Sequence, residues 1–346
     1  MRRFVLLVLL AMILILPVAA TEIESPKPPD DALQLIPEHT DSFGSDLWKI
    51  VSAALDTLAP SFAESGRICL SLVAVAILIS LMGSLPGSAS RITEFTGVLF
   101  GAVLLLGQTN TLIHMASETV RQLSDYGKLL LPVMTCALAS QGGVTSSTAL
   151  YTGTAVFDAV LSNAISALLV PMVYGFLILS LGASATKDNM LLKLRDLIKW
   201  LVTWCLKTVL YVFTGYMGIT GVVSGTADAA AMKATKLTLS GMIPVVGGIL
   251  SDASEAVIVG AGVMKSAVGV YGLLAVIAIW ITPFLRIGSQ YLLLKLTSAV
   301  CASFEVKGLA DLLQSFTTAL GLLLGMTGAV CIMLLVSTVC FMRGVS

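Results

Sequence analysis

Ser240-Gly-Met-Ile-Pro-Val-Val-Gly-Gly-Ile-Leu-Ser-Asp-Ala-Ser-Glu255 lies between apolar, nearly charge-free runs that read as membrane spans. Pro244 has no amide hydrogen to give a helix, and it disfavours helical backbone in the residue before it. Gly247 and Gly248 then loosen the chain. Asp252, with Glu255 three positions on and Ser251 beside it, has the form of an N-terminal capping box. The pattern predicts a break over 244–248 and a helix restarting near Asp252. Irregular backbone at membrane depth survives only where protein or a water-filled cavity satisfies its polar groups. That makes this stretch a candidate working part; an extramembrane turn between two helices is the plainer reading of the same residues.

Composition supports the membrane setting. Of 346 residues, 57% are hydrophobic and 12% charged, against about 25% charged in soluble domains. The mean hydropathy is +0.96. Twenty basic residues balance twenty acidic ones, which removes the electrostatic footprint of a nucleic-acid binder. Cys69, Cys136, Cys205, Cys301, Cys331 and Cys340 sit in apolar runs without CxxC or ligand spacing. They read as small core residues rather than disulfides or zinc ligands. His39 and His114 lie far apart in sequence, so no histidine-based metal site is expected, and no cofactor motif is present.

Residues 1–20 have the layout of a secretory signal: Arg2-Arg3, an apolar core from Phe4 to Leu16, and small residues at Val18-Ala19-Ala20. Retention as an uncleaved anchor is the alternative. Residues 21–46 hold three prolines near one another and seven acids against Lys27 alone, the composition of an extended, solvated linker outside the cytoplasm. Within 47–66, Leu47, Ile50, Val51, Ala54, Leu55 and Leu58 recur at helical spacing, with Asp46 as a cap and Pro60 as the end. This amphipathic helix suits the membrane surface, a partner or, most simply, its own bundle.

The membrane domain is 67–346. Spans of about 20 residues fall at 68–85, 95–115, 159–182, 200–225, 266–285 and 312–342. Between them lie a balanced polar stretch at 118–128 and a basic loop carrying Lys187, Lys193, Arg195 and Lys199. By the positive-inside tendency that loop is cytoplasmic. The segment 286–311, with Arg286, Lys295 and Lys307, joins it there, provided 129–157 does not fully cross. The fold class expected is therefore an all-α polytopic membrane protein of about six transmembrane helices with two broken or re-entrant hairpins, 129–157 and 240–255.

These two regions resemble each other. Pro132 precedes Gly142-Gly143, Pro244 precedes Gly247-Gly248, and the same number of residues separates Pro132 from Pro171 and Pro244 from Pro283. Repeat units over 95–182 and 200–285 are one explanation, and repeats with sites in broken helices are a habit of transporters; chance similarity among low-complexity segments is the other. Asp158 and Lys207 are ionisable residues inside apolar runs, and such charges mark functional sites unless they reach an interface. They could pair with each other. Gly97 with Gly101, Gly221 with Gly225 and Gly321 with Gly325 have the spacing of close helix packing. Met264 stands where a phosphate loop needs glycine before Lys265. No catalytic signature is present, so no enzymatic activity is expected.

Several blocks resemble the stage III sporulation protein AE family: Ile198-Lys199-Trp200, Lys233-Ala-Thr-Lys236 after Asp228, the 243–255 block, Lys265-Ser-Ala-Val-Gly269, Leu169-Val-Pro-Met-Val-Tyr174 and the small residues at 139–148. The likeness covers about 45–342, with an acidic linker that is short for the family. It implies a multi-pass protein of the mother-cell membrane around the forespore. The implied partners are other stage III sporulation proteins, including a secretion-type ATPase and a ring-forming protein, and indirectly stage II sporulation protein Q. Membrane lipid is the remaining partner. Together such proteins would form a channel required for late forespore development. An autonomous secondary transporter of a small solute and a non-conducting membrane scaffold are the alternatives.

Overall fold

The computed structural model describes residues 26–36, 43–83, 89–186, 188–242 and 247–343, with side chains except at 83–91 and 221–265. Among the described residues the chain is almost wholly helical with no strand, and six helices are long and apolar enough to cross a membrane. They are α3 (Leu58–Gly83), α4 (Ala89–Ser140), the run of α5 (Val144–Ala164) into α6 (Val170–Thr186), α7 (Asn189–Met242), α8 (Gly247–Ser303) and α9 (Lys307–Arg343). Two short elements precede them, α1 (Asp30–Leu33) and α2 (Phe43–Asp56). The protein is thus an all-α polytopic membrane protein, as its composition predicts. The signal-like start at 1–20 and Pro244 lie outside the described residues.

The longest helices run straight through segments that hydropathy alone breaks. α4 has 52 residues and rises ~78 Å at 1.5 Å per residue. A hydrocarbon core is ~30 Å thick, and a tilt of about 40° lengthens the path by only about a third. α4 therefore extends well beyond one bilayer, as do α7 with 54 residues and α8 with 57.

The 129–157 region is a helical hairpin, but its break does not fall at Pro132. Pro132 lies inside α4, where it removes one ladder bond without ending the helix. The break comes at 141–143. The Gly143 amide donates to the Leu138 carbonyl and the Gly142 amide to that of Ala139. This is the double closure of a Schellman motif, with Gly142 at φ 92° in its left-handed position. Gly143 then caps α5, and its carbonyl accepts from the Ser147 amide. The region is the closed end of an antiparallel helix pair, with each arm continuous with a span.

α7 and α8 form the second pair, flanking the 243–246 segment. Here the helix resumes at Gly247, ahead of the Asp252 start that the capping pattern predicts; the side chains of Gly221, Gly225, Gly247, Gly248, Ser251, Asp252 and Glu255 lie outside the described ones. Pro132 stands well before its hairpin turn at 141–143, and its counterpart Pro244 lies outside the described residues. α8 also carries on through Pro283 to Ser303, so the 286–311 loop expected from its charges shrinks to the turn at 304–306.

α9 occupies the centre and packs against α4, α5, α6, α7 and α8. Phe316, Leu320, Leu323, Met326, Val330 and Leu334 are among its buried side chains. Its buried threonines need no partner helix: Thr317, Thr327 and Thr338 donate to the carbonyls of Leu313, Leu323 and Leu334 one turn back. Glu94 Oε1 accepts from the Gly308 amide at 3.1 Å, placing a carboxylate on the first turn of α9. Small residues let the neighbours close in. A Cβ on Gly101 would stand 2.7 Å from Leu309 Cδ1, and one on Gly97 would overlap Ile79. Gly321 and Gly325 face Tyr291 and Leu206 at ordinary contact distance.

The N-terminal elements dock on this bundle. α2 buries Asp46, Ile50 and Ala54 and packs on α8 and α3. It ends at Asp56, and Pro60 falls in the first turn of α3, where its missing amide costs nothing; the element expected over 47–66 is therefore two helices. The acidic linker is not wholly solvated either, since α1 lies on α8 with Ala32 buried.

The turn at 141–143 separates two adjacent glycines by their backbone. Gly142→Ala forces a side chain into the left-handed region, at about 1–2 kcal/mol, whereas Gly143, at φ −85°, accepts alanine with little loss. Thermal unfolding of the purified protein in detergent should show a clear fall in midpoint for Gly142→Ala and little change for Gly143→Ala.

Candidate functional site

The polar stretch 118–128 does not leave the helix. On α4, Arg121 donates to both carboxylate oxygens of Glu118, at 2.9 and 2.6 Å, and Lys128 to Asp125 at 2.8 Å. Both are i,i+3 pairs on exposed side chains, of the kind that supports a helix by a few tenths of a kcal/mol. The buried face of the same stretch does more. Ser124 donates to Asp158 Oδ2 at 2.6 Å, joining α4 to α5, and Asp158 is only 4% exposed. Its Oδ1 has no hydrogen-bond partner, and Ser162 Oγ, one turn on, has none either.

Asp158 and Lys207 are not brought together. Lys207 is exposed on α7, on a helix that also exposes Trp200, Trp204 and Tyr211, which fits an aromatic and cationic anchor at an interface. The α5–α7 contact is made by other groups: Phe157 meets the Phe213 ring edge-on at 5.5 Å, and Tyr216 donates to the Ala149 carbonyl at 3.0 Å. Gly153 leaves room for the Tyr216 ring. Further polar pairs cross the bundle. Gln108 and Gln290 exchange bonds, and Gln108 also donates to Ser65 at 2.9 Å. The Thr154 and Ser337 hydroxyls are hydrogen-bonded to each other. Of the six cysteines, Cys69, Cys301 and Cys331 are buried as expected of core residues, while Cys136 is exposed.

A cavity of about 440 Å³ opens where α1, α4 and α8 meet, within the range of small-ligand sites. α1 and the residues after it supply Asp31 and Gln34; α4 supplies Glu118, Thr119 and Gln122; α8 supplies Thr282, Pro283 and Arg286; Thr57 comes from the α2–α3 junction. Pro283 has no amide to pair with the Ile279 carbonyl, and Ile279 lines the same wall. Sequence reasoning missed this site because Arg286 reads as the first charge of a loop. The available signal was Pro283, which marks a helix opened from inside when it is followed by helix rather than by turn residues.

The Ser124–Asp158 contact makes a signed prediction. Ser124→Ala leaves both oxygens of a buried carboxyl without a donor, at about 1–3 kcal/mol. Replacing both partners, as Ser124→Ala with Asp158→Leu, should cost less than Ser124→Ala alone, because no polar group is then stranded. Thermal unfolding of the three proteins gives the ordering.

Comparison with known proteins bears on the whole bundle. The family model described as stage III sporulation protein AE matches residues 33–344. The stage III sporulation protein AE of Bacillus subtilis (strain 168) is 22% identical over 264 residues, covering 75% of this chain and 66% of the relative. The match thus spans slightly under two thirds of that relative's length. No solved structure matches. With the family model covering everything from α2 to the end of α9, the chain belongs to the stage III sporulation protein AE family.

Proposed function

We propose that this protein is a multi-pass membrane subunit of a channel-like complex linking mother cell and forespore, seated in the mother-cell membrane around the forespore and needed for late forespore development. The observation that carries this reading is the family match over the entire bundle. In this role the chain acts by conducting or scaffolding rather than by catalysis. Its proposed partners are other stage III sporulation proteins, among them a secretion-type ATPase and a ring-forming protein, with stage II sporulation protein Q contacted indirectly. α9 fills the middle of the bundle, so a passage in such a complex runs between chains rather than down the axis of one. The turn at Gly142-Gly143 and the stretch holding Pro244, Gly247 and Gly248 are the proposed contributors to it.

A second reading, an autonomous carrier of a small solute, draws support from the polar cavity at Arg286. The two part on one experiment. After deletion in the source organism, the channel reading expects engulfment to finish while a late forespore reporter stays silent and the forespore shrinks, with rescue by the wild-type gene but not by Pro244→Leu combined with Gly247→Leu. Normal spores and a normal reporter would remove it. Uptake of a solute by the purified protein alone in liposomes would put the carrier first.

A further inference from the structure

The Arg286 side chain has no hydrogen-bond or ion-pair partner among the described residues, and its Nε is buried without one. The residue as a whole is half-buried, and two carboxylates line the same cavity. Glu118 is unavailable because Arg121 holds both its oxygens. Asp31, on α1, makes no ion pair with Arg286. The cavity therefore keeps opposite charges on separate walls instead of closing them into an internal salt bridge.

That arrangement selects by charge. A simple anion meets Arg286 favourably but faces Asp31, the Glu118 charge being already met by Arg121. A simple cation meets the reverse. A solute with a carboxylate at one end and an ammonium at the other satisfies both walls at once, through charge-assisted bonds stronger than neutral ones. Thr282, Gln34 and Gln122 add neutral donors and acceptors along the wall.

We propose that this cavity is a binding site for a small zwitterion, an amino acid or dipeptide, with its carboxylate on Arg286 and its ammonium toward Asp31 of α1. The site is independent of the channel reading, since it concerns what the single chain binds. α1, held by Ala32, Leu35 and Ile36 against the core, forms the wall that the ammonium end engages.

The test uses the purified full-length protein in detergent, titrated with each of the twenty amino acids and with dialanine while its unfolding midpoint is followed, because a ligand bound to the folded state raises that midpoint by mass action. Saturable stabilisation by at least one probe is expected. The N-acetylated form of that probe, lacking the ammonium, and its amide, lacking the carboxylate, should each bind at least tenfold more weakly. Arg286→Gln should lose the response to the intact probe, and Asp31→Asn should weaken it. No saturable response from any probe overturns the proposal; so does equal binding of the acetylated or amidated form, or an unchanged response in Arg286→Gln. Should Arg286→Gln fail to fold, the comparison of blocked and intact probes on the wild-type protein decides alone.

Discussion

A peptide group inside hydrocarbon has no water to bond, so its amide and carbonyl must be paired within the protein. That constraint explains why the described chain is almost wholly helix, and why the turns described within it are closed by hydrogen bonds. At 141–143 the last carbonyls of α4 are taken up by the amides of Gly142 and Gly143. At the start of α9 an orphan amide finds the carboxylate of Glu94. Along α9 the buried threonines return to their own backbone. With polar groups settled locally, helices associate through shape, and the small residues at Gly97, Gly101 and Gly153 set how near the neighbours come.

Much of this was legible in the residues themselves. Six apolar segments predict six crossing helices, and Gly142-Gly143 predicts a turn. The continuity of the helices was less legible. Charges at 118–128 suggest a connection, but i,i+3 pairing keeps Glu118, Arg121, Asp125 and Lys128 on one helix without a penalty that hydropathy can register. Pro132 suggests a break, yet a proline removes only one bond of a long ladder. The partner of Asp158 was hidden for a different reason: charge counting looks for a cation, and the group that meets it is the hydroxyl of Ser124. Arg286 escaped because its importance depends on α1, a single helical turn within a segment whose composition reads as solvated linker.

The bundle separates two kinds of polar chemistry. Gln108 with Gln290, and Thr154 with Ser337, are closed pairs that join helices. The cavity at α1, α4 and α8 is lined by Arg286 and Asp31, which do not pair with each other. Closed pairs stabilise an arrangement; an open set of charges offers a place to something else. Family membership ties the whole bundle to sporulation, and this contrast within the bundle distinguishes the parts that hold it together from the part available for recognition.

Between α5 and α6 the chain takes one wide turn, Ile165–Leu169, of π-helix, just before Pro171, which has no amide to offer Ala167. A π-turn holds one residue more than the α-helix around it. Each residue of an α-helix advances the side chains by about 100°, so that surplus sets the angular phase between the two halves of the span. Losing a single residue there would turn α5 against α6 by about that angle, swinging Asp158 away from Ser124 and Gly153 away from the Tyr216 ring. The length of this segment is therefore fixed by rotation rather than by reach. Among related sequences, gains and losses of residues should be confined to the connections between helices and absent from this turn.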